Sequence, residues 1–147
     1  MRTPVVSRLY PALLVLALLI AFCTNRARAD ELNIVFEGIQ TADGKLMVMV
    51  GDAAAFDNKG PAAAQLVLPA RIGNVAFSID ALPAGDYAVR VMHDVNGNGE
   101  LDSNMVGMPK EPWGMSNNAR GNFGPPKFED AKFTLNGSAK LTIRVEK

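Results

Sequence analysis

The sequence predicts an all-β sandwich of about seven antiparallel strands carrying one long ordered loop. Three observations predict it. Apolar residues alternate with polar ones at a period of two in several short runs. Gly and Pro punctuate the gaps between those runs, at "ADGK", "LPAGD" and "LNGS". No stretch after residue 29 shows a helical period of comparable strength.

The runs follow one another in order. "LNIVF" sets Leu32, Ile34 and Phe36 on one side. "KLMVMV" sets Leu46, Val48 and Val50 against Met47 and Met49, and "AAAQLVL" is a weaker strand. "VAFSID" gives Val75, Phe77 and Ile79, and "YAVRV" gives Tyr87, Val89 and Val91. "FTL" gives Phe133 and Leu135, and "LTIRVE" gives Leu141, Ile143 and Val145. About seven strands is the number of an immunoglobulin-like sandwich. The connections are too short for helical crossovers, so antiparallel pairing is expected. Hairpins are expected at Pro83-Ala84-Gly85 and near Asn136-Gly137. Asn136-Gly137-Ser138 also matches a glycosylation sequon, which a turn explains equally well.

The first 29 residues read as a leader. Arg2 and Arg8 precede an apolar run from Leu9 to Cys23, and Ala27-Arg28-Ala29 is a small-x-small cleavage site. The run is short for a membrane span, which needs about 20 residues. A retained anchor is the competing reading, kept open by Arg26 and Arg28. A lipid attachment at Cys23 is disfavoured by bulky Phe22 before it. Cleavage leaves residues 30–147 as one domain of 118 residues without cysteine. Four of the fifteen basic residues fall in the leader and none of the fifteen acidic ones do, so the remainder carries 11 − 15 = −4. No basic stripe remains to hold a nucleic acid. Export to the periplasm or beyond is the expected location, without a transmembrane span once the leader is gone.

Residues 94–127 break the rhythm. They are rich in Gly, Asn and Pro, yet carry Met105, Val106, Met108, Trp113, Met115 and Phe123. Such a composition argues for order. Met47, Met49 and Met92 occupy strand faces that should be wet. The expectation is that the loop folds back over one outer face through Met105, Met108, Trp113 and Met115, since methionine fills irregular gaps.

"DVNGNGELD" opens that loop and matches nine positions of the calcium-loop template. Asp94, Asn96 and Asn98 take positions 1, 3 and 5, and Gly99 allows the sharp turn. Glu100 would offer its backbone carbonyl and Asp102 its carboxylate. Position 12, a bidentate Glu in the template, is Met105 here, and no helix flanks the loop. Asn104 or Glu111 could replace the missing oxygen. Fewer charged ligands imply weak binding, ~10⁻⁴–10⁻³ M, and a structural Ca2+ is the expected cofactor. The competing reading is that Asp, Asn and Gly simply make turns.

Other chemistry is sparse. His93 is the only histidine and by parity faces inward, closing the core. A Cu(I) site built from Met47, Met49, Met92, His93, Met105 and Met108 is the alternative. No Cys nucleophile, serine elbow or zinc cluster is present in residues 30–147. Asp94 with Asp102 is a carboxylate pair suited to ion binding more than to acid–base catalysis. Trp113 reads as a loop anchor before it reads as a sugar platform. The expected role is therefore a binding or accessory module with an unidentified ligand or protein partner. An enzyme acting on an envelope or extracellular substrate at the acidic loop is the alternative.

From Gly85-Asp86-Tyr87-Ala88 through His93-Asp94, Asn96-Gly97-Asn98-Gly99, Leu101-Asp102, Gly107, Pro109-Lys110-Glu111, Gly114 and Ser116-Asn117-Asn118 to Pro126 and Phe128-Glu129-Asp130-Ala131, the chain resembles one family. It is the bacterial secreted family grouped as domain of unknown function 2141. The resemblance covers nearly all of residues 30–147. It implies export and a sandwich, and no activity. "LPAGDYAVRV" also resembles the transthyretin-like and carboxypeptidase regulatory-like sandwiches. The hydroxyisourate hydrolysis of some transthyretin relatives needs several histidines and does not carry over.

Overall fold

The computed structural model describes residues 30–122 and 124–147. The expected leader, residues 1–29, and Phe123 lie outside the described residues. The strands are β1 (Asp30–Ile39), β2 (Lys45–Gly51), β3 (Ala64–Pro69), β4 (Gly73–Leu82), β5 (Gly85–Asp94), β6 (Trp113–Met115), β7 (Phe133–Leu135) and β8 (Ser138–Arg144). Two single-turn helices, Ala53–Phe56 and Phe128–Ala131, and a 3-10 turn at Ser116–Asn118 complete the described elements. Asp52 caps the first helix by accepting the Ala55 N–H at 2.9 Å.

The strands form two sheets of a sandwich, not a closed barrel. One sheet has the order β4-β1-β8. The other runs β3-β2-β5-β6, with β7 also on β5. The chain passes between the sheets after β1, β3, β4 and β7. Parity places the alternating residues as expected. Leu32, Ile34, Phe36, Leu46, Val48, Val50, Val89, Val91 and Ile143 are at most 3% exposed and form one core between the sheets. Phe36 stacks on Phe77 across β1 and β4, with centroids 5.5 Å apart. Aromatic pairing of this kind adds to what burial alone contributes.

Three expectations need correction. Neither expected hairpin forms. β4 and β5 lie in different sheets, as do β7 and β8. Pro83-Ala84 and Asn136-Gly137 are therefore corners between sheets. The first corner is pinned where the Tyr87 hydroxyl donates to the Pro83 carbonyl at 3.0 Å. Second, β8 runs parallel to β1, from Glu31↔Ser138 to Glu37↔Arg144. Crossing from the opposite sheet lets β8 enter in that direction without a helical connection. Third, an eighth strand, β6, lies inside the expected loop. Only Gly114 shares the inward parity of Val91, so β6 lacks the inward apolar residues that mark the other strands.

β6 and β7 share one edge of β5. β7 pairs with Gly85–Tyr87 and β6 with Arg90–Met92. Between them the Val89 N–H has no strand partner on that edge. The Ser116 hydroxyl fills the gap, accepting that N–H at 2.9 Å and donating to the Ala131 carbonyl. Ser116 is fully buried, as a polar group with both partners satisfied can be. β6 also bridges to the segment after β8, through Trp113 N–H to Glu146 O at 3.0 Å and the reverse bond at 3.1 Å. This joins the two sheets at one corner.

Candidate functional site

The acidic loop begins where β5 ends. Asp94 is fully buried. One of its carboxylate oxygens accepts the Gly97 N–H at 2.8 Å, and the other the Gly99 N–H at 2.9 Å. Lys45 Nζ stands 3.4 Å from the second oxygen. Burial pushes this carboxyl upward. The N–H groups of Gly99 and Gly97 and the Lys45 ammonium together outweigh burial and hold it below its ordinary value. Both glycines have positive φ, 78° and 84°, which the tight curl requires.

The asparagines extend the curl. Asn96 Oδ1 accepts the Asn98 N–H at 3.0 Å, and Asn98 Oδ1 accepts the Glu100 N–H at 2.9 Å. These are side-chain turns of the kind Asn favours. Their amides converge on Asp102, Asn96 at 2.7 Å and Asn98 at 3.1 Å. The structure thus brings Asn96 and Asn98 onto Asp102, with the Asp94 carboxylate turned to the Gly97 and Gly99 N–H groups and Lys45. The Glu100 side chain is exposed. Among the described residues no three His, Cys, Asp or Glu side chains cluster as metal ligands.

Glu111 has both carboxylate oxygens engaged by backbone N–H groups. One of its oxygens accepts the Val95 N–H at 2.8 Å, the other the Asp102 N–H at 3.2 Å. It is 6% exposed and staples the two ends of the loop together. Nothing in its sequence spacing separates a staple from a ligand. Asn104 likewise serves a turn of its own, accepting the Val106 and Met108 N–H groups at 3.0 Å each.

The second candidate lies on the outer face of the five-stranded sheet. Cross-strand register aligns Val67, Met47, Met92 and Trp113 in one rank. It aligns Gln65, Met49, Arg90 and Met115 in the next. These side chains, with Leu101 and Pro125 from the loop, line an open groove of about 740 Å³. At one end the groove meets the rank where Lys45 faces Asp94. At the other, Phe56, Ala88, Ala119 and Ala131 form a second buried cluster, with Met115 and Phe128 packed on it. Arg90 turns to that end, its guanidinium 5.3 Å from the Phe56 ring centroid and 3.0 Å from Asn58 Oδ1. Arg120 lies 4.1 Å from the Trp113 ring centroid and 3.2 Å from Glu146, which fixes the groove wall.

The expected cover of this face is only partly realised. Trp113 and Met115 lie on the face, as members of β6. Met105, Val106 and Met108 are 105%, 82% and 62% exposed. Their turn closes on itself through Asn104 and the Ser103↔Pro109 bridge, so it projects instead of folding back. His93 is fully buried, with Nε2 2.8 Å from the Asp43 carbonyl oxygen. The pleat puts it on the opposite face from Met92, so a joint Met92-His93 ligand pair is excluded. Neither His93, Asp94 nor Glu111 lines the groove.

The family model described as "Uncharacterized protein conserved in bacteria (DUF2141)" matches residues 34–143, and the chain belongs to that family. No curated protein and no solved structure matches it. Among the described residues no helix is long and apolar enough to cross a membrane.

Proposed function

We propose that this chain is an exported binding or accessory module whose ligand site is the methionine-lined groove on the outer face of the five-stranded sheet. The observation that carries the reading is the groove itself. A sheet face that meets only water should be polar. This one presents four methionines and a tryptophan in two adjacent ranks. Concave sites lined by apolar side chains with a few polar groups are the usual seats of small ligands. The leader at residues 1–29 supports export.

Trp113 is the only tryptophan, so its fluorescence reports on the groove alone. Titration of residues 30–147 with laurate or an anilinonaphthalene dye should change that fluorescence saturably. Met47→Gln with Met92→Gln should remove the response and leave the fold intact by circular dichroism. A flat Trp113 signal with every apolar probe would sink the reading.

The reading has a second part, a structural Ca2+ held by the Asp94–Asp102 loop. Its support is the template match together with the convergence of Asn96 and Asn98 on Asp102. An ion there would exchange amide contacts for oxygen ligands and order the base of the groove wall at Leu101. Millimolar calcium should raise the melting temperature of the wild type and leave Asp94→Ala plus Asp102→Ala unmoved. An unchanged wild-type melting temperature rules the ion out and leaves the groove untouched.

A further inference from the structure

The groove's floor has a narrower chemistry than apolar surface alone. We infer that the thioethers of Met47, Met49, Met92 and Met115 form a site for a soft monovalent cation, Cu(I) or its analogue Ag(I). The inference rests on the groove being the ligand site.

Met92 is the hub. Met47 stands directly opposite it on β2. Met49 is two residues further along the same strand, and Met115 two residues beyond Met92's other partner, Trp113. Directly opposed Cβ atoms in an antiparallel pair lie ~4.5–5.5 Å apart and diagonal ones ~7–8 Å. An unbranched side chain with three rotatable bonds spans those separations. Three or four sulfurs can therefore reach one ion without moving the backbone.

Packing explains only part of this set. Met115 packs against the cluster of Phe56 and Phe128. Met47, Met49 and Met92 line the open groove and are only half-buried. The charges nearby are also spoken for. Arg90 is held by Asn58 and Phe56, and Lys45 by Asp94. No carboxylate lines the groove. A hard cation finds no anionic oxygen there. Neutral sulfur selects a soft ion. Thioethers do not protonate near neutrality, so binding should not vary with pH. Histidine, thiol and carboxylate sites differ, because their ligands must first lose protons. His93, Met105 and Met108 take no part, since the first is buried on the other face and the others project from the loop.

The test uses residues 30–147, which hold the whole described core. Ag(I), and Cu(I) kept reduced, are titrated while methionine ε-methyl signals are followed by NMR. One equivalent should shift Met47, Met49, Met92 and Met115 and leave Met105 and Met108 in place. Met92→Leu conserves volume and removes the sulfur. It should weaken Ag(I) binding by about tenfold or more and keep the circular dichroism of the wild type. Affinity should be flat from mildly acidic to mildly alkaline pH. Unchanged affinity in Met92→Leu, shifts confined to Met105 and Met108, or affinity rising with pH would each overturn the site. Failure of the cation with retained apolar-probe binding overturns this inference alone. Failure of both overturns the groove reading.

Discussion

A Cβ placed on Gly44 would stand 1.9 Å from the carbonyl oxygen of Asp94. The turn between β1 and β2 is thus pressed against the start of the acidic loop. Three consecutive residues make that contact, with Asp43 meeting His93, Gly44 meeting the Asp94 backbone and Lys45 meeting the Asp94 carboxylate. Gly44 also has φ +70°, where a side chain is strained even in open space. Gly44→Ala should therefore cost about 3 kcal/mol or more in urea unfolding, from combined overlap and backbone strain. A loss below about 1 kcal/mol would show that the turn can move away.

Asp94 gives the fold a pH dependence of known sign. Its folded carboxyl is held below the ordinary value, near 3.9 for Asp. A depressed carboxyl contributes stability that is present above the unfolded value. That contribution is lost as pH falls through the lower, folded value. The wild type should lose melting temperature below about pH 4. Asp94→Asn should be less stable at neutral pH and flatter in that acid window. Parallel acid limbs in the two proteins would remove Asp94 from the account.

Glu111 should behave as a staple. Its two oxygens hold the N–H groups of Val95 and Asp102, residues seven apart in sequence. Glu111→Ala removes two charge-assisted bonds and should cost about 2–3 kcal/mol. Amide hydrogen exchange at Val95 and Asp102 should accelerate together, while exchange within β2 keeps its wild-type rate at neutral pH. Acceleration at only one of the two would mean that the bonds are independent.

Ser116 closes the gap that β6 and β7 leave on β5. Ser116→Ala strands the buried Val89 N–H and the Ala131 carbonyl, at about 2–3 kcal/mol. Thermal denaturation measures the loss. A change under about 0.5 kcal/mol would mean that water enters the gap.

The sequence was most legible where alternation was longest. Leu32 to Phe36, Leu46 to Val50 and Tyr87 to Val91 declare their inward faces because the strand period repeats at least twice. Pairing partners were not legible. The turn at Pro83-Ala84 has the same composition whether the chain doubles back or crosses to the other sheet, so corners read as hairpins. β6 was hidden because Trp113-Gly114-Met115 turns only a glycine toward the core side and sets its apolar side chains on the outer face. In the acidic loop, Asn96 and Asn98 converge on Asp102, while the Asp94 carboxylate is held separately by Gly97, Gly99 and Lys45. Which carboxylate pins the loop's ends depends on tertiary contact, and Glu111 carries no local mark of that. The groove arises from register across four strands, which no single segment encodes.

The same register divides the methionines into two kinds, and stability should follow the division. Met115 lies on β6 and packs on the cluster of Phe56, Ala88, Ala119 and Ala131. Met115→Ala leaves a cavity against that cluster and should cost about 2 kcal/mol, the lower end for truncating a buried methionine because Met115 is only half-buried. Met105 and Met108 project from a turn that the Asn104 side chain holds by accepting backbone N–H groups, not by apolar packing. Replacing both with Ser should change stability by no more than about 0.5 kcal/mol. Chemical denaturation of the two variants beside the wild type checks the contrast. A large loss from the Met105 and Met108 pair would mean that the projecting turn folds back over the sheet in solution, which would also close the groove.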